Sequence, residues 1–396
     1  MLTWPAHTAR TVPWASSGRR GTREDRMLAE VEVSLPPSIA TLTPPTGPER
    51  DLARARWEAG DLERVAGGVL SPLAGFLIRM ESVASSRIEH VEATPVAFAR
   101  AIGGLKENES AMSMVAAGAA ITRLIAASSE AITLDEILAA HEALTRDDPT
   151  ESRYAGTVRD VQNWIGGSQY APRNALYVPP PPEDVPALLD DLIAFANRDD
   201  VEPITQAAIA HAQFESIHPF TDGNGRIGRA LIGAILRRRG VTPHTVLPVA
   251  SALAADTPHY FALLTAYRSG DVVPIITDLA LCVETAAREA RGTARTFARY
   301  EDAWREQAAP RAGSAADLIL PALLALPVFT VEQLAEATGL PERSVYRGVQ
   351  SLEEHGVVQA VTERVRGRAY AAMDVLDEFG DLDTRIRERI TALRAA

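Results

Sequence analysis

The sequence predicts an all-helical protein that carries one β-hairpin flap and ends in a winged helix-turn-helix domain. Three observations predict this architecture. Between 50 and 305, most segments place apolar residues at spacings of three and four. One stretch punctuated by Gly and Pro, 154–178, holds short β-prone pieces. The segment 314–372 has the pattern of two helices joined by a short turn and followed by two strands.

Composition restricts the class of protein. The chain has 396 residues, of which 46% are hydrophobic, and its net charge of −12 repels nucleic acid unless a local basic patch exists. The single cysteine, Cys282, cannot form an intramolecular disulfide and is expected to be a buried apolar residue. We find no charge-poor run long enough to cross a bilayer. These features predict a cytoplasmic protein with no membrane partner.

The N-terminal segment 1–45 is rich in Ser, Thr, Pro and Arg and lacks the apolar core of a signal peptide. This composition predicts a disordered extension. A second methionine precedes the proline-rich stretch 35–40, so Met1 and Met27 both remain candidate translation starts.

The helices follow in order. A helical pattern over 50–78 is broken by Gly67, Gly68 and Pro72, and a short separate helix is expected over 85–91. Further helices are predicted at the following positions: 97–105, 112–127, 133–144 (with Thr133 and Glu136 as a capping pair), 185–197, 204–217, 225–239, 260–268 and 272–305. The flap lies between the helices 133–144 and 185–197 and is closed by the prolines at 179–182.

The loop between the helices 204–217 and 225–239 carries the chemistry. Gly223 and Gly225 flank Asn224, so the backbone can fold tightly and direct several N–H groups into one concavity. The helix that begins there favours an anion at its N-terminus. The dinucleotide-binding fingerprint that these glycines formally match is rejected, because a helix and not a β-strand precedes it.

Four charged or titratable side chains surround this loop. Arg226 and Arg229 add two guanidinium groups suited to phosphate oxygens. Asp222 offers one carboxylate to a magnesium ion whose other ligands are phosphates and water. His218 can accept a hydroxyl proton near neutral pH. Together they predict a polyphosphate site with a base beside an attacking alcohol.

The stretch 218–229, His-Pro-Phe-Thr-Asp-Gly-Asn-Gly-Arg-Ile-Gly-Arg, resembles the Fic motif at every specified position, and the likeness extends over roughly 50–290. The resemblance implies a protein adenylyltransferase that moves AMP from ATP to a Tyr, Thr or Ser hydroxyl. It makes His218 the base and Asp222 the Mg²⁺ ligand. The phosphates would bind to the following residues: Gly223, Asn224, Gly225, Arg226 and Arg229.

The resemblance also assigns a docking flap and a brake. The flap would hold a protein substrate, which can be the chain itself, by main-chain hydrogen bonds through Asn163, Trp164, Ile165 and Gly166. Ser85 and Glu89 match the family's inhibitory helix, in which Glu89 would pair with Arg229 and deny the γ-phosphate its clamp. His90 departs from the Gly or Asn of that pattern, which puts the end of the helix in question. In some relatives the same glutamate also supports AMP removal.

The C-terminal module keeps an alternative open. Its acidic residues outnumber five arginines, at 343, 347, 364, 366 and 368, for a net charge of −2, which is unfavourable for phosphate contacts. DNA binding and dimerisation or target docking therefore remain open as its role. The alternative function is a DNA-binding regulator whose core senses a nucleotide or transfers another nucleotide.

The predicted domains are as follows: a disordered extension (1–45), an N-terminal helical region (46–110) with the inhibitory helix at about 82–92, a Fic core (111–290) with flap and motif, a helical linker (291–313), a winged helix (314–372) and a C-terminal helix (373–396).

Overall fold

A computed structural model describes residues 4–15, 20–45, 47–105, 107–362 and 368–395. Helices dominate it, as the sequence predicts. In chain order they are α1 (Arg23–Met27), α2 (Glu49–Ala66), α3 (Leu70–Ile88), α4 (Pro95–Ile102), α5 (Glu109–Ala127), α6 (Leu134–Thr145), α7 (Val185–Ala196), α8 (Pro203–Ile217), α9 (Asn224–Arg238), α10 (Val249–Leu253), α11 (Thr257–Arg268), α12 (Val273–Ala308), α13 (Ala315–Ile319), α14 (Ala322–Ala325), α15 (Val331–Thr338), α16 (Glu342–Glu354) and α17 (Met373–Arg394).

The described residues also form five short strands and three short 3-10 helices (Gly67–Val69, Ser152–Tyr154 and Pro182–Asp184). The strands are β1 (Thr8–Pro13), β2 (Glu30–Leu35), β3 (Val328–Thr330), β4 (Gln359–Ala360) and β5 (Ala369–Ala371). The chain divides into two compact units. The first unit comprises Met1–Leu52, Ala119–Gly240 and Thr257–Ala280, and the second comprises Ala53–Gly118, Val241–Asp256 and Leu281–Ala396.

The N-terminal extension is folded, so the prediction of disorder is wrong for its described residues. Strands β1 and β2 pair antiparallel, from Thr8 opposite Leu35 to Pro13 opposite Glu30. Val31 and Val33 alternate with exposed glutamates on β2 and are buried. This period of two gives the segment one apolar face, which its overall composition concealed. Met1 lies outside the described residues, and Met27 ends α1.

Helices α8 and α9 form the centre of the first unit. Every residue of α8 from Ile204 to Ile217 is buried. Helix α9 buries most of its first thirteen residues, and its basic end is half-buried. The capping pair Thr133 and Glu136 is confirmed as a reciprocal capping box at the start of α6. The buried Cys282 of α12 is also as predicted.

Helix α3 is longer than the sequence pattern suggested. The break expected at Pro72 and the separate helix over 85–91 are both wrong, because one helix runs from Leu70 to Ile88. Pro72 lies in its first turn, where the missing N–H leaves no hydrogen bond unmade. Helix α12 runs unbroken from Val273 to Ala308, which agrees with the helix expected over 272–305.

The end of α3 is a Schellman motif. The Val91 N–H donates to the Ser86 carbonyl and the His90 N–H donates to the Arg87 carbonyl, both at 3.0 Å. His90 adopts a left-handed conformation with φ of 59°. This conformation explains why a Gly or Asn would suit the position, and it shows that histidine keeps the same helix ending.

The C-terminal module is a winged helix within the second unit. A three-stranded sheet of order β3-β5-β4 lies beside α15, and α15 in turn packs on α16. A Cβ at Gly348 would come within 2.9 Å of the Ala316 backbone nitrogen, so this glycine permits close packing of α16 on α13. Arg364, Arg366 and Gly367, expected at the tip of the wing, lie outside the described residues.

One helix differs from the expectation about membranes. Helix α5 is long and apolar enough to cross a bilayer by length and composition, and 39% of its most apolar window is buried in the structure. The core helix of a water-soluble protein meets the same two criteria.

We predict that His90→Gly stabilises the protein. Glycine adopts the left-handed conformation without the penalty of about 1–2 kcal/mol that a Cβ incurs, and its greater freedom in the unfolded chain offsets part of that gain. The expected rise in the free energy of unfolding is about 1 kcal/mol, measured by urea denaturation. His90→Ala, which keeps a Cβ, serves as the control. A gain of the same size with alanine would contradict the explanation.

Candidate active site

His218 is positioned by the end of helix α8. The helix stops at Ile217, and His218 adopts a left-handed conformation with φ of 51° and ψ of 60°. Pro219 follows, and a residue before proline is disfavoured in the helical region, so the chain must turn here. The side chain of His218 is half-buried. The turn therefore places an imidazole at the entrance of the loop that leads to α9.

Asn224 closes this loop through both halves of its side-chain amide. Its Oδ1 accepts from the Phe220 N–H and its Nδ2 donates to the Phe220 carbonyl, both at 2.8 Å. The residue is 3% exposed. The resemblance placed Asn224 against a phosphate, and in the structure both polar atoms of its side chain hold the loop.

A buried histidine on α6 supports the loop. The ring of His141, on α6, stacks on that of Phe220 with 3.8 Å between centroids and an interplanar angle of 2°. Its Nδ1 accepts from the Gly156 N–H, so its Nε2 carries the proton and donates to the Asp222 carbonyl at 3.1 Å. Burial lowers the pKa of His141 to about 4. The ring is therefore neutral at pH 7, as these two hydrogen bonds require.

Gly223 must be glycine. It caps α9 with φ of 80°, and a Cβ there would come within 2.7 Å of Leu144 Cδ2. The cap supplies no side-chain hydrogen bond to the helix. The first N–H groups of α9 thus face the loop without a side-chain acceptor from the cap residue, and the helix dipole adds partial positive charge there.

The two motif arginines lie in the first two turns of α9 and are both buried. Arg226 is 8% exposed and Arg229 is 2% exposed. Arg226 Nη2 donates to Asp222 Oδ2 at 2.7 Å, while the Asp222 side chain is 52% exposed. The structure thus brings His218, Asp222, the glycines and both arginines onto one loop and one helix end.

Arg159 is a site residue that the sequence analysis missed. It is 3% exposed, and its Nε donates to the His218 carbonyl at 2.8 Å. The same guanidinium donates to the carbonyls of Ile217 (3.4 Å), Val161 (3.0 Å) and Pro180 (2.6 Å). Burial lowers the pKa of Arg159 to about 10, which leaves it charged at neutral pH. This one cation fixes the backbone that carries His218. An arginine in a β-prone stretch gave no signal of this role.

The predicted flap lacks the strands expected of a hairpin. Over 154–178 the described backbone forms a single β-bridge, between Ile165 and Tyr177. Gly166 and Gly167 both have positive φ and end the pairing at once. The hairpin prediction is therefore wrong beyond this one bridge.

The four flap residues named from the sequence do not share one role. Asn163 Nδ2 donates to the Phe220 carbonyl at 2.8 Å, which ties the flap to the motif loop. Trp164 donates to the Ser168 carbonyl and packs edge-on against Trp14 of the N-terminal extension. The backbone of Ile165 is used in the bridge, and Gly166 forms the turn after it.

The inhibitory residues lie in the second unit. Ser85 is 1% exposed in the last turn of α3, and Glu89 caps that helix and is exposed. The pairing of Glu89 with Arg229 stays a prediction. For a metal, no group of three or more His, Cys, Asp or Glu side chains comes together within the described part of the chain.

The sequence gives only weak signals of the residues that support the loop. His141 occupies a buried position between Ile137 and Leu144 on an otherwise apolar face of α6. A polar residue at a core position is a signal that could have been noticed. Phe220 lies within the motif itself, at the position that the pattern specifies as Phe.

Two parts of the chain match known families. Residues 131–236 match the family model described as the Fic/DOC family, and residues 319–375 match the one described as the sugar-specific transcriptional regulator TrmB. The second match coincides with the winged helix and agrees with that part of the fold prediction.

Curated relatives carry the same domain. The chain is 32% identical over 177 residues to a protein named protein adenylyltransferase fic-1 from Caenorhabditis elegans, covering 44% of this chain and 31% of that one. It is 34% identical over 160 residues to protein adenylyltransferase Fic from Nematostella vectensis, covering 39% and 33%. The chain thus spans about a third of the length of the curated relatives it matches.

Solved structures share the fold. The chain is similar to a Fic family protein from Desulfovibrio desulfuricans G20, with a TM-score of 0.54 and 23% identity over 84% of this chain and 98% of that one. A Fic domain containing signaling protein from Bacteroides thetaiotaomicron VPI-5482 gives 0.52 and 18%, over 62% and 97%. The predicted helical core and winged helix are confirmed by these likenesses and by the two family matches.

We predict that Arg159→Leu destabilises the protein by about 3 kcal/mol or more, since several buried carbonyls lose their donor together. Urea denaturation measures the loss. Arg153→Leu, an exposed arginine six residues earlier, is the matched control and should change little. Equal stability of Arg159→Leu and the control would show that the clamp contributes nothing.

A pH dependence follows from His141. Its pKa is about 4 in the folded protein and 6.5 when unfolded. As pH falls from 6.5 to 4 the unfolded state binds the proton first, so the stability contributed by the neutral ring is lost. The loss amounts to about 3 kcal/mol over that range.

Comparison with His141→Gln isolates this effect, because the other buried histidines titrate in both proteins. The slope of unfolding free energy against pH between 7 and 4 should be shallower in the variant. Parallel curves would refute a neutral His141.

Proposed function

We propose that the chain transfers AMP from ATP to a Tyr, Thr or Ser hydroxyl of a protein, itself included; the premise is the match of residues 131–236 to the Fic/DOC family model. One observation carries the proposal. The N-terminus of α9 lacks a side-chain cap, and two buried arginines lie in its first two turns. The helix begins six residues after a half-buried histidine. Buried positive charge of this kind suits a polyphosphate.

Each residue has a defined task in the proposed reaction. His218 accepts the proton of the target hydroxyl, whose oxygen attacks the α-phosphorus in line. A new phosphorus–oxygen bond forms, the bond to the bridging oxygen breaks and pyrophosphate leaves. The backbone of Gly223, Asn224 and Gly225 holds the phosphate oxygens, while Arg226 and Arg229 grip the β- and γ-phosphates. Phosphoryl-type transfer depends mainly on such positioning and charge neutralisation.

Asp222 fits a magnesium ion. It is a half-exposed carboxylate beside the anion cradle, and Mg²⁺ is commonly held by one or two carboxylates together with substrate phosphates and water. Bound there, the ion would neutralise phosphate charge. Asp222 now accepts from Arg226, so metal binding would release that arginine toward the nucleotide.

Glu89 is proposed as the brake on this reaction. It lies at the end of a helix whose Schellman ending is intact, despite the histidine at position 90. An exposed carboxylate there would compete with the γ-phosphate for an arginine. AMP removal by the same glutamate, a homodimer and a cytosolic location remain part of the proposal.

A second function has its own support. The TrmB-type match covers the winged helix. Helix α16 also has one exposed face, whose residues at helical spacing are Arg343, Tyr346, Arg347 and Gln350. Such side chains suit phosphates and base edges. The alternative is therefore a DNA-binding regulator whose core senses a nucleotide or transfers another nucleotide than AMP.

We predict that α-³²P-ATP with magnesium labels the protein, and that Glu89→Gly increases this labelling. His218→Ala in the Glu89→Gly background should reduce it about 10²–10⁴-fold, the usual loss for a positioned base. His244→Ala and Glu92→Gly, both exposed residues outside the motif, are the matched controls.

Mass spectrometry of the labelled Glu89→Gly protein identifies the added group and the modified residue. Absence of label in Glu89→Gly would sink the transferase and favour the regulator. Equal labelling of wild type and Glu89→Gly would reject the brake alone. Competition by UTP or GTP distinguishes transfer of another nucleotide.

A further inference from the structure

The flap over 154–178 has little regular structure of its own. A single bridge joins Ile165 to Tyr177, and the Ser168 N–H donates to the Arg173 carbonyl at 3.1 Å and so closes the tip. A two-stranded hairpin is only marginally stable in water, even when it is well paired. Contacts from outside the flap must therefore hold its shape.

The N-terminal extension holds the tip of the flap through an ion pair. Arg173 Nε donates to Asp25 Oδ1 at 3.0 Å, and Arg173 Nη1 lies 2.9 Å from Glu24 Oε2. The side chain of Asp25 is 2% exposed, whereas that of Glu24 is 73% exposed. A hydrogen bond between charged groups is stronger where water is excluded, so Asp25 is the main anchor of the tip.

The carboxylate of Asp25 is fixed in place for this pairing. Its Oδ2 accepts from the Thr22 N–H at 2.8 Å and from the Thr22 hydroxyl at 2.9 Å, as part of the capping box of α1. Hydrogen bonds from the Thr22 backbone, from Arg173 and from Ser168 hold the pKa of Asp25 well below its usual range, despite the burial of the carboxyl. Asp25 is therefore a fixed negative charge beside the flap at neutral pH.

Two further contacts join the extension to the flap. The Trp14 ring packs edge-on against the Trp164 ring with 5.5 Å between centroids, and Trp164 directly precedes the bridge residue Ile165. Gly21 has a φ of 87°, and a Cβ there would lie 2.8 Å from the Tyr170 Cβ. The extension thus contacts both the bridge region and the tip, and all of these residues belong to the first unit.

We propose that the N-terminal extension sets the flap for the protein target, with Trp14 and Asp25 as its positioning residues. The inference rests on the proposed function, in which the flap holds the target by main-chain hydrogen bonds. The N–H and carbonyl of Ile165 are both used in the bridge, so the target must pair with main-chain groups beside it. A flap that is already fixed when the target arrives loses less conformational entropy on binding.

Two amides report on the shape of the flap. The Ile165 N–H is bonded in the bridge and the Ser168 N–H in the tip, so their hydrogen exchange is slow only while the flap keeps its shape. Exchange is measured on the full chain without ATP, in a peptide covering 161–171. A peptide covering 204–217, in the buried helix α8, reports on global unfolding.

Asp25→Asn and Arg173→Gln should each speed exchange in 161–171 about tenfold and leave 204–217 unchanged, because the tip loses a charge-assisted hydrogen bond. The double variant should exchange no faster than the faster single variant, since both substitutions remove the same contact. This comparison separates the ion pair from the capping box that Asp25 also makes. Glu24→Gln is the matched control. It faces the same arginine from an exposed position, so exchange should change about twofold or less.

Trp14→Ala tests the second contact. It leaves the ion pair intact and should speed exchange in 161–171 several-fold, because the edge-on ring packing is lost. Unchanged exchange in 161–171 in both Trp14→Ala and Arg173→Gln would overturn the proposal. Equal acceleration in 161–171 and 204–217 would do the same, since it would show a general loss of stability instead of a local role.

Labelling kinetics test the link to the target. In the Glu89→Gly background, Arg173→Gln should lower the initial rate of self-labelling at saturating α-³²P-ATP several-fold and leave the KM for ATP unchanged, because the phosphate cradle is intact. Glu24→Gln should label as Glu89→Gly alone does. Faster exchange in 161–171 with unchanged labelling overturns the link to the target. Absence of label in Glu89→Gly rejects the transferase and the link together, while the exchange result still decides whether the extension positions the flap.

Discussion

The active-site loop depends on one buried amide. The side chain of Asn224 binds both backbone groups of Phe220 and so fixes the turn between α8 and α9. With that turn closed, the phenyl ring of Phe220 stacks on His141, and His141 in turn holds the Asp222 carbonyl. Buried polar groups that satisfy one another specify a single geometry, because every alternative leaves a donor or acceptor without a partner.

The same principle governs the other side of the loop. The Arg159 guanidinium donates hydrogen bonds to the carbonyls at the end of α8, including that of His218 itself. Desolvation lowers its pKa only to about 10, so it stays charged while buried. The imidazole is thus positioned through its backbone. Precise placement is what a nucleotide-transfer site needs, since little of the barrier is removed by other means.

The proposed brake depends on a helix ending. The Schellman motif after α3 keeps Glu89 at a defined position even though a histidine occupies the left-handed residue.

The sequence alone determined most of the helices, the winged helix and the motif, since periodicity, capping residues and a contiguous signature are local properties. It failed where pairing partners are distant. The described residues of the extension fold because β1 pairs with β2. The flap lacks the expected strands because two glycines end its pairing and because it packs against that extension. Only the tertiary structure revealed Arg159 and His141 as supports of the loop. Their roles arise from carbonyls and N–H groups far along the chain, and no spacing in the sequence records which buried groups will need a partner.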